Sequence, residues 1–326
     1  MAKRKILTQY NSVFLILLVV CLCAFLYKPS FFGFDNVNLI LRQASALGIL
    51  VMGQIFVISC GCIDLSVVSI MQISIAVFMM VTKSYGENML FAGILLAIIA
   101  GVGIGLLNGV IVARWKVQPF LSTLFMAAIL GGVREVFSGV TPLGVPPQIL
   151  MTIVKGGRTI SYCILWFAVA ALIAYVVLSK TVYGAHVMMV GTNKTAALFS
   201  GIRVNRVIVT AYCISGLSAV LAAVVATGYL GFADQTSIGS GMEMNALVAA
   251  VLGGNFLSGG RASVSGAVGG VLTLTLIINI VILFGLPVQY QYVLKGLILL
   301  AVVYMAARSQ NSARRSCGKK LQPVDH

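Results

Sequence analysis

Gln54, Asp64, Gln72, Asn108, Asn245 and Asn279 are amide or carboxyl side chains set within otherwise apolar stretches. In a low-dielectric interior each needs a donor or acceptor, supplied by a neighbouring helix or by a hydroxylated solute passing through. They are therefore candidates for lining a translocation path, with amide-mediated helix packing as the plainer role. None implies covalent chemistry, because no nucleophile–base or metal constellation accompanies them. Asp64 is the informative one. Lying in C-G-C-I-D-L-S at 60–66, it marks a break in a membrane segment or N-caps a helix over residues 65–82, with Gly61 permitting the turn.

A second stretch, residues 180–206, is polar, basic and punctuated by glycine. Within it Thr192 or Asn193 is placed to cap a short helix, Lys194-Thr195-Ala196-Ala197-Leu198-Phe199, that Gly201 stops. Such a helix would expose polar residues and bury Ala197 and Leu198 or Phe199. A short helix of this kind suits docking into a groove on a partner; the alternative is an interfacial helix lying on the membrane.

The elements that must position these residues are membrane helices. With 60% of 326 residues hydrophobic and 9% charged, the chain has more apolar surface than one water-soluble core can hide. Apolar windows at 13–26, 39–59, 65–82, 89–113, 120–136, 162–178, 207–229, 244–257, 264–284 and 289–307 predict about ten crossings. The fold class is thus an all-α polytopic membrane protein, with residues 1–326 forming one transmembrane domain. The first window lacks an A-x-A-like cleavage site, so a retained span is expected rather than a cleaved signal. Residues 31–38 are expected as an interfacial connector and 138–161 as the longest exposed one. Gly101, Gly105 and Gly109, and again Gly266 and Gly270, repeat at the four-residue spacing that lets helices approach closely. Two glycine-rich breaks, at 61–66 and 258–263, hint at repeated halves but do not fit a simple inverted repeat.

Several function classes drop out. The cysteines form no paired C-x-x-C set, and two histidines are too few for a His-based metal site. No G-x-x-x-x-G-K-[ST] spacing occurs, so this chain does not hydrolyse ATP through a phosphate loop. The net charge of +15 also has a topological explanation. Alternating spans with the N-terminus (1–12) inside collect Lys3, Arg4, Lys5, Arg114, Lys116, Lys180, Lys194, Arg203, Arg206, Arg261 and the cations of a basic tail (308–326) on one side. Lys28, Lys83, Arg134, Lys155 and Arg158 fall opposite, with most of the acids. That asymmetry predicts both termini in the cytoplasm, and anionic lipid accounts for the basic residues without nucleic acid.

Several motifs then fall in a recognisable order: G-C-I-D-L-S at 61–66, L-L-N-G at 106–109, P-F-L-S-T-L at 119–124, Y-G-A-H-V at 183–187, V-G-T-N-K-T-A-A-L-F-S-G-I-R-V at 190–204 and V-L-G-G-N-F-L-S-G-G-R-A-S at 251–263. Over nearly its full length the chain resembles the membrane permease subunits of ribose-type sugar ABC importers, in the branched-chain amino acid/ribose-type permease superfamily. The resemblance implies a bacterial inner-membrane permease that works as a homodimer or with a related permease. It further implies two ATP-binding-cassette subunits, carrying the ATP and magnesium, and a periplasmic binding protein that delivers a monosaccharide. No cofactor is implied on this chain itself. By the same resemblance Gly184, His186, Gly191, Asn193, Ala196, Ala197, Ser200 and Gly201 belong to the segment coupled to the ATPase. The chain departs from the family at Cys60 or Cys62 and at Val68, where glycines are usual. An ion-coupled secondary transporter of small polar solutes is the competing class, weakened by Asp64 being the one clear acid at depth.

Overall fold

A computed structural model describes residues 2–139, 141–156 and 161–285, with isolated positions 289, 290, 293, 296, 297 and 300 beyond. The helices in order are α1 (Ala2–Tyr27), α2 (Phe34–Ser59), α3 (Val67–Tyr85), α4 (Leu90–Ala113), α5 (Pro119–Ser138), α6 (Gln148–Lys155), α7 (Tyr162–Lys180), α8 (Val182–Thr192), α9 (Lys194–Phe199), α10 (Val204–Leu230), α11 (Met242–Leu252) and α12 (Val264–Leu283). Among the described residues seven helices are long and apolar enough to cross a membrane: Phe34–Ser59, Val67–Tyr85, Glu87–Ala113, Pro119–Ser138, Tyr162–Lys180, Val204–Leu230 and Val264–Ile282. Val13–Leu26 and Met242–Leu252 are shorter apolar helices. The last expected crossing lies almost wholly outside the described residues, as does the basic tail. The result is an all-α, multi-span protein.

Helix α2 is the centre. From Ala44 to Ser59 every residue is buried, because α7, α10, α11 and α12 all pack on it. A helix that is apolar on every face requires that surround. Outside it α4 and α10 form a contact built of backbone. Gly105 lies against the Tyr212 carbonyl, Gly109 against the Val209 main chain, and Gly216 against the Gly101 carbonyl, so a Cβ at any of these would collide with backbone. Gly266 and Gly270 play the same part against the carbonyls of Gly253 and Ala249, joining α12 to α11. The expected small-residue packing is therefore present at both places.

Three connectors differ from expectation. Residues 31–38 are not an open connector: α2 already begins at Phe34, with Asp35 in its first turn, where a carboxylate favours the helix dipole, and Asn36 ties back to the Phe31 carbonyl at 2.7 Å. The 138–161 stretch contains α6, an amphipathic turn pair whose Leu150 and Val154 are buried. Within 180–206, the segment before Asn193 is itself helical, as α8.

Candidate functional site: a helical hairpin joined to two broken helices

The α8–α9 hairpin is assembled by local caps. The Thr181 side chain accepts from the Gly184 amide at 3.3 Å and opens α8. Asn193 then accepts from the amides of Thr195 and Ala196, at 2.9 and 3.0 Å, and opens α9. Gly201, at φ 80°, turns the chain away, and the Ile202 amide closes the turn on the Ala197 carbonyl at 3.0 Å. Side-chain capping of this kind satisfies amides that a six-residue helix could not otherwise pair.

Of the apolar residues of α9, Ala197 faces inward as the sequence suggests, and neither Leu198 nor Phe199 joins it. Ala197 is buried at 1% exposure, but Leu198 is 61% and Phe199 86% exposed. At 100° per residue only one of three consecutive positions can face the bundle, and Ile202, buried after the turn, supplies the inner apolar anchor instead. Of the other expected coupling residues, Gly184 is buried against the Leu178 carbonyl and His186 is half-buried. Asn193, Ala196, Ser200 and Gly201 lie on the exposed side. Tyr183 fixes the base of α8, donating to the Val207 carbonyl at 3.2 Å and stacking on Phe56 with centroids 6.3 Å apart.

Gly191, near the end of α8, is where the hairpin meets the core. A Cβ there would strike the Ser59 carbonyl and the Gly260 amide. The same Gly260 amide donates to the Ser59 carbonyl at 2.9 Å, and the Ser59 hydroxyl donates to the Arg261 carbonyl at 3.1 Å. Gly61, at φ 72°, faces the Ser258 carbonyl, and Gly259 and Gly260, at φ 80° and 79°, close against Gly61, Gly191 and Thr192. Three turns far apart in sequence thus form one knot of backbone. The two glycine-rich breaks, read separately in the sequence, are in direct contact.

From this knot the chain runs to Asp64, which is fully buried. One carboxylate oxygen accepts from the Ser66 amide at 3.0 Å and the Ser66 hydroxyl at 2.7 Å; the other accepts from Ser215 of α10 at 2.7 Å. Asn108 of α4 donates to the Ser66 hydroxyl at 2.8 Å, and Gln54 of α2 to the Asp64 carbonyl at 3.1 Å. Tyr212 donates to the Ile63 carbonyl at 3.0 Å, and Thr123 of α5 receives the Leu65 amide at 3.1 Å. Ser66, not Asp64, is the N-cap residue of α3, and it makes no side-chain cap bond. Asp64 instead organises the turn before it, so four helices hold the break between α2 and α3. Ser215 lies eleven residues into α10, about 16 Å along its axis, which sets this cluster well inside the bundle.

The second break follows α10. Residues 231–241 are not regular helix, and α11, with 11 residues, covers about half of a bilayer core. Gly144 and Ala233 pair as an antiparallel bridge. The Asp234 side chain accepts from the amides and hydroxyls of Thr236 and Ser237 at 2.6–3.2 Å. Burial raises this carboxyl, but the Ser237 and Thr236 hydrogen bonds outweigh it and hold it down at about 2. Gln72 of α3 donates to the carbonyls of Thr236 and Ile238 at 3.1 and 3.3 Å. Arg134 of α5 donates to the Gln72 side chain and to the Gln235 carbonyl. Gly239, at φ 84°, reaches Met71 and Val68, so the segment descends beside α3 towards the level of the first break.

The structure thus gathers Gln54, Asp64 and Asn108 into one cluster and places Gln72 in the strap over the second break. Asn245 follows on α11, buried, with its side-chain oxygen lacking a protein partner, as do the side-chain oxygens of Gln54 and Asn108. Asn279 lies elsewhere, on the Leu276–Ile280 part of α12 that packs with Ala24, Phe31 and Ile40. Sequence reading missed Thr123, Tyr212, Ser215, Arg134 and Gln235. The first three come from helices distant in sequence, and only Arg134 carried a signal, as a cation at the edge of an apolar window.

Residues 36–303 match the family described as "Branched-chain amino acid transport system / permease component". The ribose import permease protein RbsC of Bacillus subtilis is 33% identical over 306 residues, covering 91% of this chain and 92% of its own. The L-arabinose ABC transporter permease protein AraH of Azospirillum brasilense is 30% identical over 312 residues, covering 94% and 90%. The fructose import permease protein FrcC of Rhizobium meliloti is 31% identical over 307 residues, covering 90% and 84%. No solved structure matches the chain significantly. A match of this extent, running through both breaks and the hairpin between them, makes the chain a member of the branched-chain amino acid transport permease family.

Proposed function

We infer that this chain is the transmembrane permease subunit of an ATP-binding-cassette importer that passes a monosaccharide, pentose or hexose, across the bacterial inner membrane. A binding protein outside delivers the sugar. ATP and magnesium belong to partner ATPases, two of which serve a pair of permeases, identical or related. Both termini and the α8–α9 hairpin face the cytoplasm. The carrying observation is the hairpin itself: it presents Leu198 and Phe199 outward while Gly191 is seated on the main chain of Ser59 and Gly260.

In this reading ATPase closure displaces the hairpin. Because Gly191 meets Ser59 and Gly260 without intervening side chains, the displacement is passed to α2–α3 and to α11–α12 together. Two discrete packings of these broken helices then open the path to opposite sides in turn. Gln54, Asn108 and Asn245 carry buried oxygens free of protein partners, which suits transient bonds to sugar hydroxyls.

The test is reconstitution with the partner ATPase and a sugar-loaded binding protein. ATP hydrolysis is expected to rise with loaded binding protein, and Phe199→Glu to abolish that rise and ATPase co-purification without preventing insertion. Transport that persists on an ion gradient with no ATPase bound would overturn the reading.

A further inference from the structure

Beside the hairpin, between the end of α4 and the start of α10, lies a cavity of about 620 Å³. Its lining divides by chemistry. Arg114, Arg203 and Arg206 stand at one end, Leu106, Val110 and Val209 continue away from them along the two helices, and Leu198 of the hairpin also lines the cavity. The arginines are exposed, and the one ion pair among the described residues, Arg134–Glu135, is elsewhere. Nor can a nearby connector supply a counter-charge: 114–118, 180–206 and 253–263 contain no Asp or Glu.

Helix polarity sharpens the point. Arg203 is the N-cap of α10 and Arg206 lies in its first turn, which contains no acid. Cations at that end oppose the helix dipole, so two arginines there are unfavourable until an anion joins them. An anion at this place is held by the guanidinium groups and by the helix terminus together. Trp115, 71% exposed and next to Arg114, is of the residue type that marks the headgroup layer.

We propose that this groove holds one anionic phospholipid, its phosphodiester on Arg114, Arg203 and Arg206 and an acyl chain along Leu106, Val110 and Val209. An acidic side chain from a partner protein would satisfy the arginines but leave the apolar half uncovered. The lipid fills both. The bound lipid would brace α10 directly beside the hairpin.

The experiment uses the full chain in nanodiscs carrying either brominated phosphatidylglycerol or brominated phosphatidylcholine. The chain has two tryptophans, so Trp166→Phe leaves Trp115 as the sole reporter. Phosphatidylglycerol is expected to quench Trp115 preferentially. Arg203→Gln with Arg206→Gln should reduce that preference by about fivefold per cation removed, while Arg203→Lys with Arg206→Lys retains most of it and shows that the fold survives. Equal quenching by both lipids, or a preference unchanged in the glutamine variant, overturns the proposal. So does a glutamine variant that keeps its lipid preference and loses only ATPase association, which would assign the arginines to the partner protein. No sugar or ATPase enters the quenching assay, so its outcome is independent of the transport reading.

Discussion

The break at 60–66 and the break at 231–241 both interrupt apolar helices, and they are held by different means. In the first, a buried carboxylate takes three hydrogen bonds, and side chains of α2, α4, α5 and α10 all converge on a few backbone atoms. In the second, the segment is strapped by Gln72 and Arg134, and polar atoms remain unpaired nearby, at Gln235 Oε1, Arg134 Nε and Asn245 Oδ1. The first break also keeps unpaired oxygens, at Gln54 Oε1 and Asn108 Oδ1, but both carboxylate oxygens of Asp64 are matched and one is tied to Ser215 of α10, so moving it costs several bonds at once. The second keeps its own carboxylate, Asp234, bonded within the loop, to Thr236 and Ser237, so this carboxylate moves without breaking a bond to another helix. One is suited to transmit displacement and the other to yield to it.

The largest effect that would break this contrast is expected at Gly191. Even the Cβ of an alanine there collides with the Ser59 carbonyl and the Gly260 amide, so Gly191→Ala should already cut transport sharply, and in Gly191→Leu it should fall to the level of vesicles without permease. Uptake assays on inserted protein check this; a leucine variant that transports normally would separate the hairpin from the break at 60–66 and from the turn at 258–263. Asp64→Ala comes next. It strands the Ser66 amide and hydroxyl and the Ser215 hydroxyl, and should destabilise the bundle by about 3 kcal/mol, read as a lowered melting temperature in detergent. Arg134→Gln should act locally. Loss of its bonds to Gln72 and the Gln235 carbonyl should speed amide exchange across 232–240 by about tenfold, the equivalent of ~1.4 kcal/mol, with little change at 60–66. Equal speeding at both breaks would remove the distinction between them.

The smallest effect concerns pH. The Asp234 carboxyl sits at about 2 in the fold against an ordinary 3.8. A lowered folded value means the stabilisation is complete above about pH 4 and is lost as pH falls from 3.8 towards 2. Amide protection of Thr236 and Ser237 should therefore be flat, after correction for intrinsic exchange, from pH 5 to 8 and fall only in strong acid.

What the sequence revealed was mostly local. Glycines at four-residue spacing announced close helix pairs, Gly61 announced a turn, and Asn193 announced a capped helix, because each signal lies within a few residues of its effect. Helix α8 was hidden: V-Y-G-A-H-V-M-M-V-G-T carries two glycines and no clean apolar face, and its helicity rests on the Thr181 cap and on burial of Gly184, Val187 and Val190. One of Leu198 and Phe199 was expected inside, because apolar residues are ordinarily assigned to the interior, and both face out. The meeting of Gly61, Gly191 and Gly259 could not be seen at all. A contact made of main chain leaves no side-chain pattern, and its three parts are separated by over a hundred residues between the first two alone.

The α4–α10 pair bears on where this sequence is free to vary. Gly105, Gly109 and Gly216 touch backbone, and a main-chain neighbour cannot be made smaller to compensate for a larger residue. Drift at these positions has no partner change to accompany it. The outward faces of α4 and α7 meet no such limit: Leu95, Leu96, Ile99, Leu165, Leu172 and Ile173 are all exposed and are interchangeable with any apolar side chain a bilayer accepts. Substitutions should therefore accumulate on the rim of the bundle, while this seam stays as it is.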